Sequence, residues 1–386
     1  MIRLIKNTFH REPDVKKKLI EFIDQTDRLS FGPQCEEFEK KFSEYQGRKH
    51  SIFVNSGSSA NLALIQALIN QGILQKGDKV GFSALTWATN VMPLVQLGLE
   101  PVPIDVELDT LNVSSRKLES ILEKTEIKAL FITNLLGFCD DMDVIKAICD
   151  REEIILIEDN CESLGTVYKG QKLGNFGLAS TFSFYVGHHL STIEGGMICT
   201  DDNHFADALR MVRAHGWDRN VDSQKQGELR DKHSIDDFYA RYSFYSLAYN
   251  LRPTEINGFL GSIQVPYIDE IVNTRRDNFL EFAEIYNNTG KYLPIRHEHI
   301  DLISNFAVPV VCKTVEDRDD LIRACEGKVE IRPIVGGDIT GQPFFKELGV
   351  GWESPNAALV HRQGLYFGNN QDLTREEIRE IKEIFK

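Results

Sequence analysis

Short apolar runs alternate with longer amphipathic stretches between residues 50 and 202 of the sequence. Four of these runs, rich in β-branched residues, predict strands: DKVGFS from residue 78, KALFITN from 128, EEIILIED from 152 and GGMICTDD from 195. Strands that alternate with helical stretches are typical of crossover units on a mostly parallel sheet. Because the runs are continuously apolar, both faces of the sheet should be covered by helices. The pattern therefore predicts a doubly wound α/β core.

The segment SGSSANLALIQALI, which begins at residue 56, predicts a helix early in this core. Leu62, Ile65 and Leu68 repeat at helical spacing, and Ser58 or Ser59 is the expected N-cap. Further along the chain, residues 218 to about 237 are polar and aperiodic. They predict a long loop or lid, and a disordered insertion would have the same composition.

The last third of the chain has a different pattern, which predicts a smaller α+β domain. After NLRPTEI, a helical pattern runs to about residue 288. FAVPVVCKT from 306 and VEIRPIV from 329 predict strands, with a helix near DLIRAC between them. Thr374 and Glu377 have capping-box spacing before a last helix, and one face of that helix carries Ile378, Ile381 and Phe385.

The length of 386 residues suggests two or three domains, at about 150 residues for each. We expect a large α/β domain over residues 25–255. A small α+β domain should be formed by residues 1–24 together with residues 256–386.

Acidic residues outnumber basic ones by 58 to 44, which gives a formal net charge of −14. This balance argues against general binding of nucleic acids or anionic membranes. Seven cysteines lack C-x-x-C or C-x-C spacing, so we expect reduced thiols and a cytoplasmic protein rather than a disulfide framework. The first residues lack an apolar signal core, and no uncharged run approaches the roughly 20 residues that span a bilayer.

Residues that directly follow predicted strands are the candidates for chemistry, because ligands of an open α/β sheet gather outside the carboxyl ends of its strands. Ser56, Gly57 and Ser58 stand at a predicted helix N-terminus, where free backbone amides and the helix dipole favour a phosphate. Trp87 follows the strand at 78 and is suited to stacking on a planar ring. Each feature alone has a structural alternative, a plain helix cap for the serines and a core position for the tryptophan.

Two further features lie at the end of the strand predicted from residue 152 and just before the strand predicted from residue 195. Asp159 ends EEIILIED, where a carboxylate can hold a protonated ring nitrogen, although many such aspartates only cap a helix. The segment TFSFYVGHHLSTIEGG, from residue 181, joins Ser183 to His188 and His189 and ends in a Glu-Gly-Gly turn. A metal site built from these histidines and His215 would need a ligand spacing that the sequence lacks, so no metal is expected.

The order of these features resembles the sugar aminotransferases of the aspartate-aminotransferase fold, which use pyridoxal phosphate. A phosphate cradle, a stacking aromatic residue, a strand-end aspartate, an S-F-x-x-x-base motif and an E-G-G turn follow one another along the chain. RAHGW at 213, YNLRPTEI at 249 and RPIV at 332 extend the resemblance from about Arg28 to the C-terminus. It implies a type I pyridoxal-phosphate fold, with the cofactor bound by the large domain.

One departure from this family pattern concerns the fifth residue after the motif serine. The family has a lysine there that binds the cofactor covalently, whereas this sequence has His188, and Lys169 and Lys172 lie in a different segment. The subgroup with histidine at this position is the nucleotide-sugar 3-dehydratases. NLLG, EDNCES, HHLSTIEGG and RAHGW resemble its GDP-sugar branch. The CDP-sugar branch holds an iron–sulfur cluster through cysteines that include a C-x-C pair, so no cluster is expected here.

The resemblance implies an enzyme in which pyridoxal 5'-phosphate works as free pyridoxamine 5'-phosphate. Histidine cannot hold the cofactor covalently, but an unperturbed imidazole with a pKa of about 6.5 suits proton transfer at neutral pH. His188 is the implied base, and Asp159 is the implied partner of the protonated ring. The implied reaction removes the C3 hydroxyl of a nucleotide-linked 4-keto-6-deoxy sugar, GDP-linked by preference, and releases ammonia. Glutamate is the implied amino donor that regenerates the cofactor.

The same resemblance assigns supporting roles. Gly57, Ser58 and Ser183 match phosphate-binding positions, and Asn250 matches one that reaches the phosphate from a neighbouring subunit, which implies a homodimer with shared active sites. Trp87 matches the ring-stacking position. Other residues have broader assignments: Glu162 stands where the family has Gln or His near the ring hydroxyl, and candidates for the sugar, its diphosphate or the glutamate carboxylate are His215, Arg219 and Arg332. Structural ion pairs are an equal alternative for these last three.

Two other functions fit the sequence. One is an ordinary sugar aminotransferase with an unusual base, and the missing lysine weighs against it. The other is a catalytically silent regulator that binds pyridoxal phosphate. The retained Asp159, Ser183 and Asn250 weigh against that second function.

Overall fold

A computed structural model describes residues 1–288 and 290–386. Its strands are β1 (His50–Val54), β2 (Lys79–Ser83), β3 (Glu100–Ile104), β4 (Ala129–Thr133), β5 (Ile155–Asp159), β6 (Val167–Tyr168), β7 (Gln171–Lys172), β8 (Ala179–Ser183), β9 (Gly196–Thr200), β10 (Ala307–Val311), β11 (Ile331–Pro333) and β12 (Gly364–Gly368). Its α-helices are α1 (Glu12–Gln25), α2 (Pro33–Gln46), α3 (Gly57–Asn70), α4 (Met92–Gln96), α5 (Ser115–Leu122), α6 (Met142–Arg151), α7 (Asn203–Arg213), α8 (Ser223–His233), α9 (Glu255–Gln264), α10 (Ile268–Asn288), α11 (Val315–Cys325), α12 (Pro343–Lys346), α13 (Pro355–Gln363) and α14 (Arg375–Phe385).

A seven-stranded sheet in the order β1-β9-β8-β5-β4-β2-β3 forms the centre of the fold. Strands β3, β2, β4, β5 and β8 pair in parallel, which confirms the predicted mostly parallel α/β architecture. The strand predicted at 195 is β9, and it runs antiparallel to both of its neighbours instead of closing a crossover. An apolar run could not reveal this direction, because a strand buried on both faces has the same pattern in either orientation.

Alternate residues of the central strands enter separate cores on the two faces of the sheet. Leu130 and Ile132 of β4 pack with residues of α5 and α6. Phe131, between them in the sequence, packs with residues of α3 and α7. This division follows from the two-residue period of a strand. It explains why β4 reads as an unbroken apolar run, since each face is covered by its own helices.

The C-terminal part contains a three-stranded antiparallel sheet in the order β10-β12-β11. Strands β10 and β11 and helix α11 confirm the elements predicted at 306, at 329 and near DLIRAC. Thr374 and Glu377 form the predicted capping box at the start of α14. Ile378, Ile381 and Phe385 are buried in the core beneath that sheet.

Two local predictions are wrong. Helix α3 is capped by Ser56 rather than by Ser58 or Ser59, since the Ser56 Oγ accepts a hydrogen bond from the backbone amide of Ser59 at 3.0 Å. The polar stretch after residue 218 contains helix α8, which buries no side chain. This helix is stabilised by the Asp222 cap and by polar contacts along its surface rather than by an apolar face.

No helix in residues 1–288 and 290–386 is both long enough and apolar enough to cross a membrane. Helix α10, with 21 residues, carries several charged side chains.

Candidate active site

The carboxylate of Asp159, at the end of β5, is the buried centre of the candidate site. Its Oδ2 accepts hydrogen bonds from the side-chain amides of Asn61, at 2.9 Å, and Asn90, at 2.7 Å. Its Oδ1 accepts one from the backbone amide of Cys161 at 2.9 Å. Three donors stabilise the negative charge of the carboxylate and fix its direction. The site therefore offers an oriented anion in a place largely closed to water.

Asn61 and Asn90 were not foreseen as functional residues. Asn61 lies among apolar residues of α3. A polar carboxamide in such a stretch was the only feature of the sequence that could have indicated a functional role. Asn90 ends a short 3-10 turn and receives a hydrogen bond from the Thr86 hydroxyl at 3.0 Å. Thr86 in turn contacts the Thr133 hydroxyl at 2.6 Å. This buried chain of hydrogen bonds orients the Asn90 amide towards Asp159.

The start of α3 and the end of β8 form a tight polar cradle beside Asp159. A Cβ atom added to Gly57 would lie 2.7 Å from the Ser183 Cβ and 3.2 Å from the Cys161 Sγ. Only glycine at this position leaves room for the Ser183 and Cys161 side chains. Ser58 is exposed in the first turn of the helix, where backbone amides lack helical partners. The structure thus brings Gly57, Ser58 and Ser183 to a helix N-terminus that suits a phosphate.

We expect Gly57→Ala to weaken the binding of pyridoxal phosphate about tenfold or more, because the new methyl group forces the cradle apart. Titration of the apoprotein, followed by the absorbance of the cofactor, measures the dissociation constant. Gly227→Ala is a matched control, since a Cβ at that exposed helical glycine meets nothing within 4 Å. An unchanged dissociation constant for Gly57→Ala would rule out a phosphate at this position.

Trp87 lies next to this site and is 52% exposed, so the alternative of a core tryptophan is wrong. It directly precedes the short turn whose last residue, Asn90, binds Asp159. A large aromatic face that stays open beside a fixed carboxylate is suited to cover a planar ring. Its stacking role stays a prediction.

Glu162 is buried and accepts a hydrogen bond from the Leu136 backbone amide at 2.8 Å. Burial raises the pKa of Glu162 to about 8, and the negative charge of Asp159 adds to this effect. The side chain is therefore mainly a neutral carboxylic acid at neutral pH. Unlike Asp159, it can donate a hydrogen bond to a ligand oxygen.

His188 lies in the connection between β8 and β9, and its backbone amide donates to the Tyr185 carbonyl at 2.9 Å. Its ring packs 5.2 Å from the ring of Phe306, and its buried Nδ1 has no hydrogen-bond partner among the described residues. Burial lowers the pKa of His188 to about 4, although the backbone of Ser183 and the charge of Asp159 oppose this shift. The ordinary value assumed from the sequence is therefore wrong. At neutral pH the imidazole is entirely in its unprotonated form.

The neighbouring His189 has a different environment. It is almost fully buried, and both of its ring nitrogens lack hydrogen-bond partners in the described part of the chain. Burial holds the pKa of His189 well below its usual range. His188, by contrast, keeps part of its surface exposed. The two histidines therefore differ in access to a ligand.

The other predicted site residues have partners of their own. Asn250 is exposed and accepts from Arg252 at 2.9 Å, and the His215 ring lies 4.8 Å from that of Trp217. Arg219 lies 4.0 Å above the Trp217 ring, and Arg332 forms an ion pair with Glu330. No hydrogen bond joins these four residues to Asp159 or Ser183 within residues 1–288 and 290–386. Their binding roles stay predictions.

Neither lysine considered in the sequence is free to replace His188. Lys169 pairs with Asp143 at 2.6 Å, and the Lys172 ammonium lies 3.7 Å from the centre of the Tyr45 ring.

Among the described residues, no group of three or more His, Cys, Asp or Glu side chains could hold a metal ion. The seven cysteines are free, and burial raises the pKa of each thiol.

Comparison with known proteins gives consistent matches over the whole chain. The profile of the DegT/DnrJ/EryC1/StrS aminotransferase family matches residues 12–386. GDP-4-keto-6-deoxy-D-mannose 3-dehydratase of Yersinia pseudotuberculosis is 35% identical over 376 residues, which cover 95% of this chain and 94% of the relative.

Two solved structures are also similar over nearly their full lengths. The crystal structure of a mutant GDP-4-keto-6-deoxymannose-3-dehydratase with bound GDP-perosamine has a TM-score of 0.90 and 31% identity, with complete coverage of both chains. The Escherichia coli GDP-4-keto-6-deoxy-D-mannose-3-dehydratase with bound hydrated pyridoxal phosphate has a TM-score of 0.87 and 30% identity, and covers 100% of this chain and 99% of its own.

Proposed function

Because this chain belongs to the DegT/DnrJ/EryC1/StrS aminotransferase family, we propose that it removes the C3 hydroxyl of a GDP-linked 4-keto-6-deoxy sugar. It is a pyridoxal-phosphate-dependent nucleotide-sugar 3-dehydratase, and it yields a 3-deoxy-4-keto sugar and ammonia. The observation that carries this function is His188, which follows Ser183 where the aminotransferases of the family have their lysine. Glutamate supplies the amino group that each turnover releases.

The residues of the site fit this cofactor. Gly57, Ser58 and Ser183 form the cradle for its phosphate, and the Asp159 carboxylate is placed for its ring nitrogen. When bound, the cofactor supplies a ring that accepts electrons and a carbon that carries the amino group. Trp87 would cover the ring, and neutral Glu162 would donate a hydrogen bond to an oxygen of the cofactor.

His188 moves the proton in this proposal. Its unprotonated imidazole would accept a proton from the cofactor carbon that carries the amino group, and the Asp159 carboxylate would hold the proton on the ring nitrogen. The low pKa of His188, about 4, makes it a weak base but leaves it unprotonated at neutral pH. Because a neutral imidazole cannot form a stable covalent bond to the cofactor, His188 remains free to return the proton in later steps.

We expect that borohydride will not attach the cofactor to this protein. Reduction with one equivalent of pyridoxal phosphate should leave the intact mass of the chain unchanged, because His188 occupies the position of the family's lysine. His188→Lys serves as the positive control, since an amine at that position should trap the cofactor. A cofactor found covalently on any lysine of the natural chain would contradict the expectation.

We propose that the enzyme is a homodimer with shared active sites. A strip formed by Phe238, Tyr239, Tyr242, Phe244 and Leu247 has side chains that are each between 60 and 78% exposed. Apolar surface of this extent is typical of a protein interface. Asn250, three residues beyond the strip, is exposed as well. A second copy packed on the strip would receive Asn250 near its own phosphate cradle.

We also place the enzyme in the cytoplasm, because all seven of its cysteines are free. Free thiols of this kind persist in reducing compartments.

Product analysis tests the proposed function. The protein is incubated with pyridoxal phosphate, glutamate and either GDP-linked or CDP-linked 4-keto-6-deoxy sugar, and ammonia and the product mass are measured. The proposal requires ammonia and a product that has lost the C3 oxygen, with the GDP-linked sugar preferred. An aminated sugar that keeps this oxygen would identify an aminotransferase. The absence of turnover with both sugars, despite bound cofactor, would favour the silent regulator.

A further inference from the structure

Arg275 of α10 is a buried guanidinium whose hydrogen bonds go to uncharged oxygens. The residue is only 2% exposed. Its Nη1 donates to the Asn369 carbonyl at 2.6 Å, its Nε and Nη2 donate to the Gln371 Oε1 at 3.1 and 2.8 Å, and its Nη2 also reaches the His188 carbonyl at 3.4 Å. Burying a cation without a paired carboxylate is costly for stability. Such a group calls for a reason beyond packing.

The contacts of Arg275 connect the turn that carries His188 to two parts of the C-terminal region. One is α10 itself, and the other is the segment that follows β12, which supplies Asn369 and Gln371. On its other side, the turn is tied to the cradle, since the His188 amide donates to Tyr185 and the Tyr185 amide donates to the Ser183 Oγ at 3.3 Å. The guanidinium is therefore the outer end of a chain of hydrogen bonds that begins at the phosphate cradle.

The same network supports the His188 ring. Asn369 donates from its side chain to the Arg275 carbonyl at 2.8 Å and to the Asn305 Oδ1 at 2.7 Å. Asn305 directly precedes Phe306, whose ring packs against His188. One set of buried polar groups thus fixes both the backbone carbonyl of His188 and the aromatic surface behind its imidazole.

On the basis of the proposed function, we propose that Arg275 is a positioning residue that holds the His188 turn in the geometry required for proton transfer. It acts on the reaction through the backbone of His188 and touches neither substrate nor cofactor. A displacement of a base by about 1 Å is enough to slow a reaction about a hundredfold. This sensitivity gives a reason for keeping a costly buried cation at this place.

Charge supports the same role. The charged and titratable groups that act on His188 are Asp159 from β5, Arg275 from α10, and Tyr185 and His189 from its own turn. Burial lowers the pKa of Arg275 to about 9, against the opposing effect of Asp372, so the guanidinium stays charged at neutral pH. Its positive charge disfavours an imidazolium at His188. Loss of this charge should therefore raise the pKa of His188.

Arg275→Met tests the proposal, because methionine keeps much of the volume but removes charge and donors. We expect kcat to fall about tenfold to a hundredfold with the KM for the sugar nucleotide little changed, and the acid limb of the pH profile to move to higher pH. Arg275→Lys, which restores the charge, should return the acid limb to its original position. The matched control is Arg276→Met, since Arg276 is partly exposed and bonds only to Asn273 and Asp277 among the described residues.

A second measurement does not depend on turnover. Hydrogen exchange of the backbone amides of residues 184–190, in the holoenzyme without sugar, should be faster in Arg275→Met and unchanged in Arg276→Met. If Arg275→Met does not fold, the same measurement on Arg275→Lys decides, because lysine cannot make all the contacts of the guanidinium. Unchanged exchange in this segment would overturn the proposal, as would an unchanged kcat. An inactive natural enzyme with accelerated exchange in the variant would instead count against the proposed function alone.

Discussion

His188→Asn is expected to lower ammonia release and formation of the deoxygenated sugar by about a thousandfold, within the range that a general base contributes. Asparagine keeps polarity and approximate size at this position but cannot accept a proton. The substitution leaves Asp159 and the Gly57–Ser183 cradle intact, so binding of pyridoxal phosphate should persist. Ammonia release and product mass, measured with a GDP-linked 4-keto sugar and glutamate, check the expectation.

His189→Asn is the internal control for this prediction. Its side chain is buried and lies next to His188 in the sequence, so the change has the same chemistry but a position without access to ligand. We expect turnover of the folded His189→Asn variant to stay within severalfold of the natural rate. If His188→Asn kept the natural rate while His189→Asn lost it, the base would have been assigned to the wrong residue.

The pH profile separates base chemistry from a merely structural effect of His188. Because the pKa of His188 is lowered to about 4, the unprotonated base prevails above that pH and is lost only as pH falls towards it. Protonation of His188 should therefore cause no loss of rate near a pH of about 6.5, the ordinary pKa of histidine.

His188→Lys should change the product instead, towards an aminated sugar that retains the C3 hydroxyl.

Asp159→Asn should reduce turnover about a hundredfold or more, because a neutral amide cannot stabilise a protonated ring as a carboxylate does. The amide also has one acceptor oxygen in place of two, whereas Asn61, Asn90 and the Cys161 amide all donate to this side chain. At least one of these three donors would lose its partner. Steady-state rates and the absorption spectrum of the bound cofactor measure the two effects.

Asp140→Asn is the matched control for this substitution. Asp140 is also buried, but its partners are the Thr110 hydroxyl, the Asp141 backbone amide and Arg296, and none of them belongs to the cradle. Turnover should be kept in this variant once it is folded. Near-normal turnover in Asp159→Asn would remove Asp159 from the mechanism.

The sequence was sufficient for the architecture wherever local pattern and tertiary packing agree. The apolar runs at β2, β4, β5 and β9 are strands because each is covered on both faces, and one face of β9 packs in a third core with residues of α2. The direction of β9 depends instead on its partners, which lie outside its own residues. Helix α8 was missed because it packs no apolar face, so its sequence lacks the periodicity on which the prediction rests.

The site was predictable only for residues whose type and place along the chain have chemical meaning. Asp159 ends a predicted strand, whereas Ser183 ends β8, a strand that the apolar pattern did not predict, and His188 follows in the connection to β9. Arg275 lies 87 residues from the histidine whose carbonyl it contacts, and an arginine in a helix gives no local sign of burial. The lowered pKa of His188 likewise arises from tertiary burial and cannot be read from neighbouring residues in the sequence.

The antiparallel pairing of β8 and β9 has an evolutionary consequence. Because Ser183 pairs directly with Gly196, the intervening residues 184–195 leave the sheet and return to it beside the strand they left. His188, the proposed base, thus lies in the connection between two strands rather than in a strand of the sheet. A mutation there can exchange one reactive group for another while the sheet keeps its register. Lysine and histidine can therefore replace each other at position 188 in evolution without a change in the pairing of the sheet.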